Sequence, residues 1–188
     1  MQKVVVLECP QCGAPVQVNS NICNSCFSEY MISSMNDLDA LDKMSINKYI
    51  KAYKEVSDDH GSAQFSMGIC YLKLGLYDFA LKAFEKVIDM LPEDGEVYYY
   101  AALALFKGKR PFLAQLSIVK KAIAYLEAAL QMEETGKYYY LLYVIQKDFY
   151  DMKKLRNQYQ STALLEQAKM HHVSQEEVSS IKTYTCVD

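Results

Sequence analysis

From Pro111 onward the apolar residues Phe112, Leu116, Val119, Ile123, Leu126 and Leu130 recur at intervals of 4, 3, 4, 3 and 4. That rhythm keeps one face of an α-helix apolar and predicts an uninterrupted helix. Pro111, with its fixed φ and missing donor, suits a first helical position after Gly108-Lys109-Arg110. Tyr98, Ala101, Ala102 and Leu105 mark another helix behind Gly95, and Tyr138, Leu141, Leu142 and Ile145 mark one behind the Thr135-Gly136 break. Leu155, Tyr159, Ala163 and Ala168 predict a helix over about Tyr150 to Met170, and Ser45 to Val56 reads as helix as well. Ser174-Gln175-Glu176-Glu177 has the form of a capping box and opens a short helix to Lys182, with a mobile tail after it. The N-terminus has a different period. Val16 and Val18 flank polar Gln17 ahead of the turn cluster Asn19-Ser20-Asn21, which predicts a short β-hairpin, with Lys3 to Leu7 as an additional strand. Residues 31–44 are acidic, poor in apolar anchors and rich in capping types, and read as a linker.

Composition supports a folded, mainly helical chain. Apolar residues make up 51% of the 188, enough for a packed core. Four prolines and seven glycines sit mostly at predicted element ends. The net charge of −3 argues against a nucleic-acid partner, which calls for a basic excess. No apolar run is long enough for a membrane span, and the stretch ending at Glu8 is too short for a signal-peptide core. The expected compartment is therefore the reducing cytoplasm, where paired cysteines mean metal more often than disulfides.

Four of the six cysteines form two matching pairs, Cys9-Pro10-Gln11-Cys12 and Cys23-Asn24-Ser25-Cys26. A gap of two residues lets a tight turn aim both sulfurs at one ion, and Gly13 supplies the dihedrals such a turn needs. Cys9, Cys12, Cys23 and Cys26 together complete a tetrahedral thiolate set, the donor set of a closed structural zinc site. Iron would accept the same four sulfurs. The predicted hairpin lacks the aromatic packing expected around a redox iron, which favours one structural Zn²⁺. No open coordination position is evident. The module resembles the zinc ribbon family over about residues 3 to 30. A fragment of that size cannot bury enough apolar surface to fold alone, and a metal contributes on the order of 10 kcal/mol in comparable modules. Of the other cysteines, Cys70 falls on the core side of a predicted helix, and Cys186 has no partner nearby in the sequence.

Residues 61–94 carry Gln64, Met67, Gly68, Tyr71, Ala80, Phe84 and Pro92, with Gly75 and Tyr77 at the turn between two helices. At these spacings the segment resembles the tetratricopeptide repeat family, with Gln64 in place of the opening Trp. The resemblance implies a mainly α fold: an array of helical hairpins (an α-solenoid) with the β zinc ribbon attached in front. Residues 1–30 are then the ribbon, 31–44 the linker, 45–172 the array, and 173–188 a short helix and flexible tail. Gly68 and Ala80 are small where the paired helices approach, and Tyr71 and Phe84 fill the space beside them. A second unit starts at Gly95, but Ala122, Leu126 and Ala129 arrive eight residues late. The expectation is that the extra residues lengthen the second helix of that pair by about 12 Å.

In this family the first helix of each pair lines an inner surface that holds a peptide or partner. The register then implies a groove with Phe65, Tyr99 and Tyr139 at one position, Ile69, Leu103 and Tyr143 at the next, and Lys73, Lys107 and Lys147 at the edge. An aromatic floor with a basic rim suits another protein's extended segment with apolar anchors and an acidic flank. The same tyrosines could instead pack against neighbouring helices, and the lysines could complement helix dipoles. Phe65 and Ile69 stand where the carboxylate-clamp branch of the family has Lys and Asn, so that specificity is not implied here.

No catalytic set is visible. His60, His171 and His172 read as solvated surface residues without a nucleophile or metal partner. The leading expectation is a non-catalytic interaction adaptor or scaffold. The alternatives are a nucleic-acid- or ribosome-associated zinc-ribbon factor, weakened because Lys3 is the only basic residue through residue 30, and an iron-containing redox carrier.

Overall fold

The computed structural model describes residues 6–9, 14–17, 23–27, 32–39, 41–54 and 60–187. The chain divides into two compact units, Met1–Pro92 and Glu93–Asp188, and the division falls inside the predicted helical array. Among the described residues the protein is mainly helical.

The first unit begins with two short strands, β1 (Val6–Glu8) and β2 (Pro15–Gln17), paired antiparallel with Leu7 opposite Val16. β2 thus pairs back onto β1 across the first cysteine pair. The expected turn at Asn19-Ser20-Asn21 lies outside the described residues, as do Val18 and Lys3. Helices α1 (Lys43–Lys54), α2 (Gly61–Lys73) and α3 (Tyr77–Met90) follow. Asp42 opens α1 by accepting the Ser45 N–H at 2.7 Å, and that bond holds its carboxyl below the usual range. The stretch read as a linker is anchored. Ile32, Met35 and Leu38 are buried, the Ile32 N–H donates to the Tyr53 hydroxyl at 3.4 Å, and the Ser66 hydroxyl donates to the Ile32 carbonyl at 2.6 Å.

α2 and α3 form the hairpin the repeat pattern calls for. A Cβ placed on Gly68 would come within 2.5 Å of the Phe84 ring, so the two helices pair this closely only because residue 68 has no side chain. Gly75 ends α2 at φ +73°. Its N–H bonds the Leu72 carbonyl at 3.0 Å and the Leu76 N–H bonds that of Tyr71 at 2.9 Å, the two crossed bonds of a Schellman stop.

The second unit contains α4 (Gly95–Leu105), α5 (Leu116–Met132), α6 (Gly136–Ile145), α7 (Ser161–Met170) and α8 (Gln175–Thr185). α4 pairs with α5 and α6 with α7. α4 is apolar nearly all round, and nine of its eleven residues are buried. At the end of α6/α7 the backbones touch. The Gly136 N–H donates to the His171 carbonyl at 3.1 Å, and a Cβ at 136 would meet the Val173 nitrogen at 2.4 Å. The expected capping box is formed: the Glu177 N–H donates to the Ser174 hydroxyl, and the Ser174 N–H to the Glu177 carboxylate.

Two helix expectations need correction. The extra residues of the second pair do not lengthen its second helix. Pro111–Leu113 make one 3₁₀ turn, Ala114 and Gln115 are extended, and α5 starts only at Leu116. The Phe112 N–H donates at 2.9 Å to the Asp148 carboxylate, which draws the turn away from a helical continuation. Nor is there one helix from Tyr150 to Met170. α6 runs into a π-helix over Gln146–Asp151, Lys154 turns the chain at φ 56°, and α7 begins at Ser161. Buried Gln146 holds this bend by bonding Asp151 at 2.9 Å and Asn157 at 3.1 Å.

Lys154 sits in the left-handed position that Gly75 fills elsewhere, and an L side chain there costs about 1 kcal/mol. In chemical denaturation, Lys154→Gly is expected to stabilise the protein by about that amount, and Gly136→Ala to destabilise it by about 3 kcal/mol because rigid backbone blocks the added methyl.

Alkali should also unfold the protein. Burial raises the hydroxyl pKa of Tyr53, Tyr99 and Tyr138, and that of Tyr159 to about 12, against 10.0 for the free side chain. Groups with raised folded pKa values stabilise the fold below the unfolded pKa and lose that contribution as pH rises. Helicity followed against pH is expected to hold to about pH 10 and fall beyond it, together with tyrosinate absorbance.

Candidate metal centre and partner-facing surface

β1 delivers Cys9 at its end. The Cys9 N–H donates to the Ala14 carbonyl at 2.7 Å, next to the start of β2. The second pair lies in a turn over Asn24–Cys26. The Phe27 N–H donates to the Cys23 carbonyl at 2.8 Å, and the Ser25 N–H points at the Cys23 sulfur at 3.4 Å. Phe27 closes this turn at φ 58°, with its ring largely exposed, in the position that Gly13 holds in the first pair's sequence.

The sulfurs of Cys9, Cys23 and Cys26 lie within 4.8 Å of one another, where one ion can reach all three. Cys9 Sγ and Cys26 Sγ are 3.6 Å apart. A disulfide would require about 2.05 Å. Two thiolates at tetrahedral positions around a metal with bonds of about 2.3 Å stand about 3.8 Å apart. The spacing therefore fits shared coordination. Cys9 and Cys23 are buried, so ionised sulfurs there call for a cation. Cys12, the expected fourth ligand, lies outside the described residues.

Of the expected groove residues, Ile69, Tyr99 and Leu103 are buried, at 0%, 3% and 1% exposure, and offer a partner no surface. The helices carrying them are buried along most of their length, so these positions are interior here. Phe65 is half-buried with its ring 5.9 Å from that of Phe84, and Lys73 is ion-paired with Asp39 at 2.5 Å. Lys107 ends α4 in the left-handed conformation, φ 52°. The third set remains at the surface. Tyr139 and Tyr143 are partly exposed and Lys147 is exposed, four residues apart along α6 and its π-helical extension. Lys147 donates to the Tyr143 hydroxyl at 2.9 Å, a bond that raises the lysine's pKa and keeps it cationic.

His171 is not a solvated residue. It stacks on Tyr139 at 5.1 Å, while the Tyr139 hydroxyl donates to Glu134 at 3.0 Å. Cys186 has a neighbour remote in sequence: its thiol lies 3.1 Å from the Gly108 carbonyl. Cys70 is buried as expected, and burial pushes its thiol up to about 12. Sequence reasoning missed Asp148, a buried carboxylate that binds the Arg110 guanidinium and the Phe112 N–H. Its signal was slight, since one acid in a Tyr-rich helix resembles any solvated charge.

Among the described residues no helix is long and apolar enough to cross a membrane. A scan against models of protein families finds no match, and no curated protein matches the sequence.

The cysteine cluster makes a direct prediction. Purified protein should hold one tightly bound metal ion per chain, lost in Cys9→Ser and Cys23→Ser and released as pH falls and the thiolates protonate. Metal analysis alongside thiol titration checks it.

Proposed function

We propose that this protein is a non-catalytic adaptor, a tetratricopeptide-like set of helical hairpins that holds a partner protein. One structural Zn²⁺, bound by Cys9, Cys12, Cys23 and Cys26, would stabilise a small ribbon at the front. The hairpin reading is supported by the seven repeat positions and by Gly68 lying under Phe84, the contact on which that repeat depends. The zinc reading is supported by the spacing of the three described sulfurs.

The observation that carries the adaptor reading is the surface stripe of Tyr139, Tyr143 and Lys147. Tyrosines give a large contact area at small entropic cost, and a lysine beside them favours an acidic flank. With Ile69, Tyr99 and Leu103 interior, this stripe is the part of the expected groove in which all three register positions reach the surface.

Affinity capture from native extract should compare wild type with Tyr139→Ala/Tyr143→Ala. The expected result is loss of specific partners by the double variant, with its helicity unchanged. Equal recovery of every partner would remove the stripe from the account. Iron in place of zinc, seen as a red protein, would overturn the structural-zinc assignment.

A further inference from the structure

The last helix of the chain lies across the first helices of two pairs. α8 packs against α4 and α6, which have α5 and α7 as their own hairpin partners. It enters at the start of α6, where the Gly136 N–H donates to the His171 carbonyl at 3.1 Å and His172 turns the chain at φ 57°. It leaves just past the end of α4, where the Cys186 thiol lies 3.1 Å from the Gly108 carbonyl. Between these points Glu177 of α8 comes near Tyr99 of α4. Burial raises the Tyr99 hydroxyl pKa, and the Glu177 carboxylate adds to that rise. Tyr99, expected at a groove, is thus interior beside a helix of its own chain.

Two features set α8 apart from the helices beneath it. It starts itself, because both halves of its capping box, Ser174 and Glu177, lie at its own N-terminus. It is also lightly held. Its buried residues are Ile181 and Thr185, against nine of eleven in α4 and seven of ten in α6. The Thr183 and Thr185 hydroxyls donate to the Ser179 and Ile181 carbonyls at 2.8 and 2.7 Å, within α8 itself. A terminal helix with so few buried apolar contacts opens at lower free energy than the core it covers.

We propose that α8 is a built-in occupant of a helix-binding seat on α4 and α6, and that an amphipathic helix of a partner protein displaces it. The segment already seated selects the kind of occupant. Ile181 and Thr185 are four residues apart, which is about 6 Å along a helix and about 13 Å along a strand. The displacing segment is therefore a helix with a branched aliphatic residue, a small residue four positions on, and polar residues facing outward. Its tether gives α8 an effective concentration on the order of millimolar, which a competitor must overcome. The partner rests on the adaptor reading, whereas the seat stands on α8 alone.

The test adds a fluorescent peptide of residues 174–188 to the full-length metal-loaded protein and follows its anisotropy. Ile181→Asp in the full chain should release α8 and vacate the seat, with a loss of helicity no larger than α8 itself, which circular dichroism checks. The peptide is expected to bind this variant at least about tenfold more tightly than wild type. The same peptide carrying Ile181→Asp should bind neither. If the variant loses its fold, the milder Ile181→Ala is read in the same way. In wild type, the α8 amides should exchange hydrogen at least about tenfold faster than those of α4 and α6. No peptide binding to a folded release variant would overturn the seat. Exchange in α8 as slow as in α4 would overturn the displacement. The probe is the chain's own sequence, so either failure leaves the Tyr139 stripe and its capture experiment standing.

Discussion

Paired helices in this protein close to a distance that a side chain would prevent. Gly68 under the Phe84 ring and Gly136 against the backbone at the end of α7 are the two places where this constraint is most severe. Each lies in a different compact unit, and each sets how one helix meets the next in its own hairpin. Close pairing lets α2 and α6 bury most of their length, which turns apolar sequence into core. It also determines which residues remain at the surface.

The helical pairs were legible because their signals are local. Glycine at a contact, glycine at a stop and apolar positions at helical spacing all act within a turn or two of chain. Ser174 and Glu177 could be paired from the sequence for the same reason. The α5 start was misread because the stripe from Phe112 is periodic enough for a helix, while the group that breaks it, Asp148, lies far along the chain. No local rule contains that hydrogen bond. The bend after Asp151 was missed in the same way, since Gln146 and Asn157 act through a side-chain bond across eleven positions.

Which of the candidate residues lie at the surface was legible only in part. Register placed Tyr99 and Tyr139 at equivalent positions, yet one is core and the other partly exposed. Position within a repeat names the face of a helix, whereas burial depends on what packs against that face. In the second unit that unequal burial leaves an aromatic and cationic stripe on α6. The cysteine pairs were the clearest signal, since four thiols at that spacing serve few purposes other than a metal. The structure brings three of those sulfurs together.

The most direct test of the close helix pairing is the nuclear magnetic resonance spectrum of Gly68. With the Phe84 ring against it, the Gly68 α-protons should show ring-current shifts from random-coil positions and strong cross-relaxation to the Phe84 ring protons. Random-coil shifts with no cross-relaxation to that ring would contradict the pairing on which the fold is built.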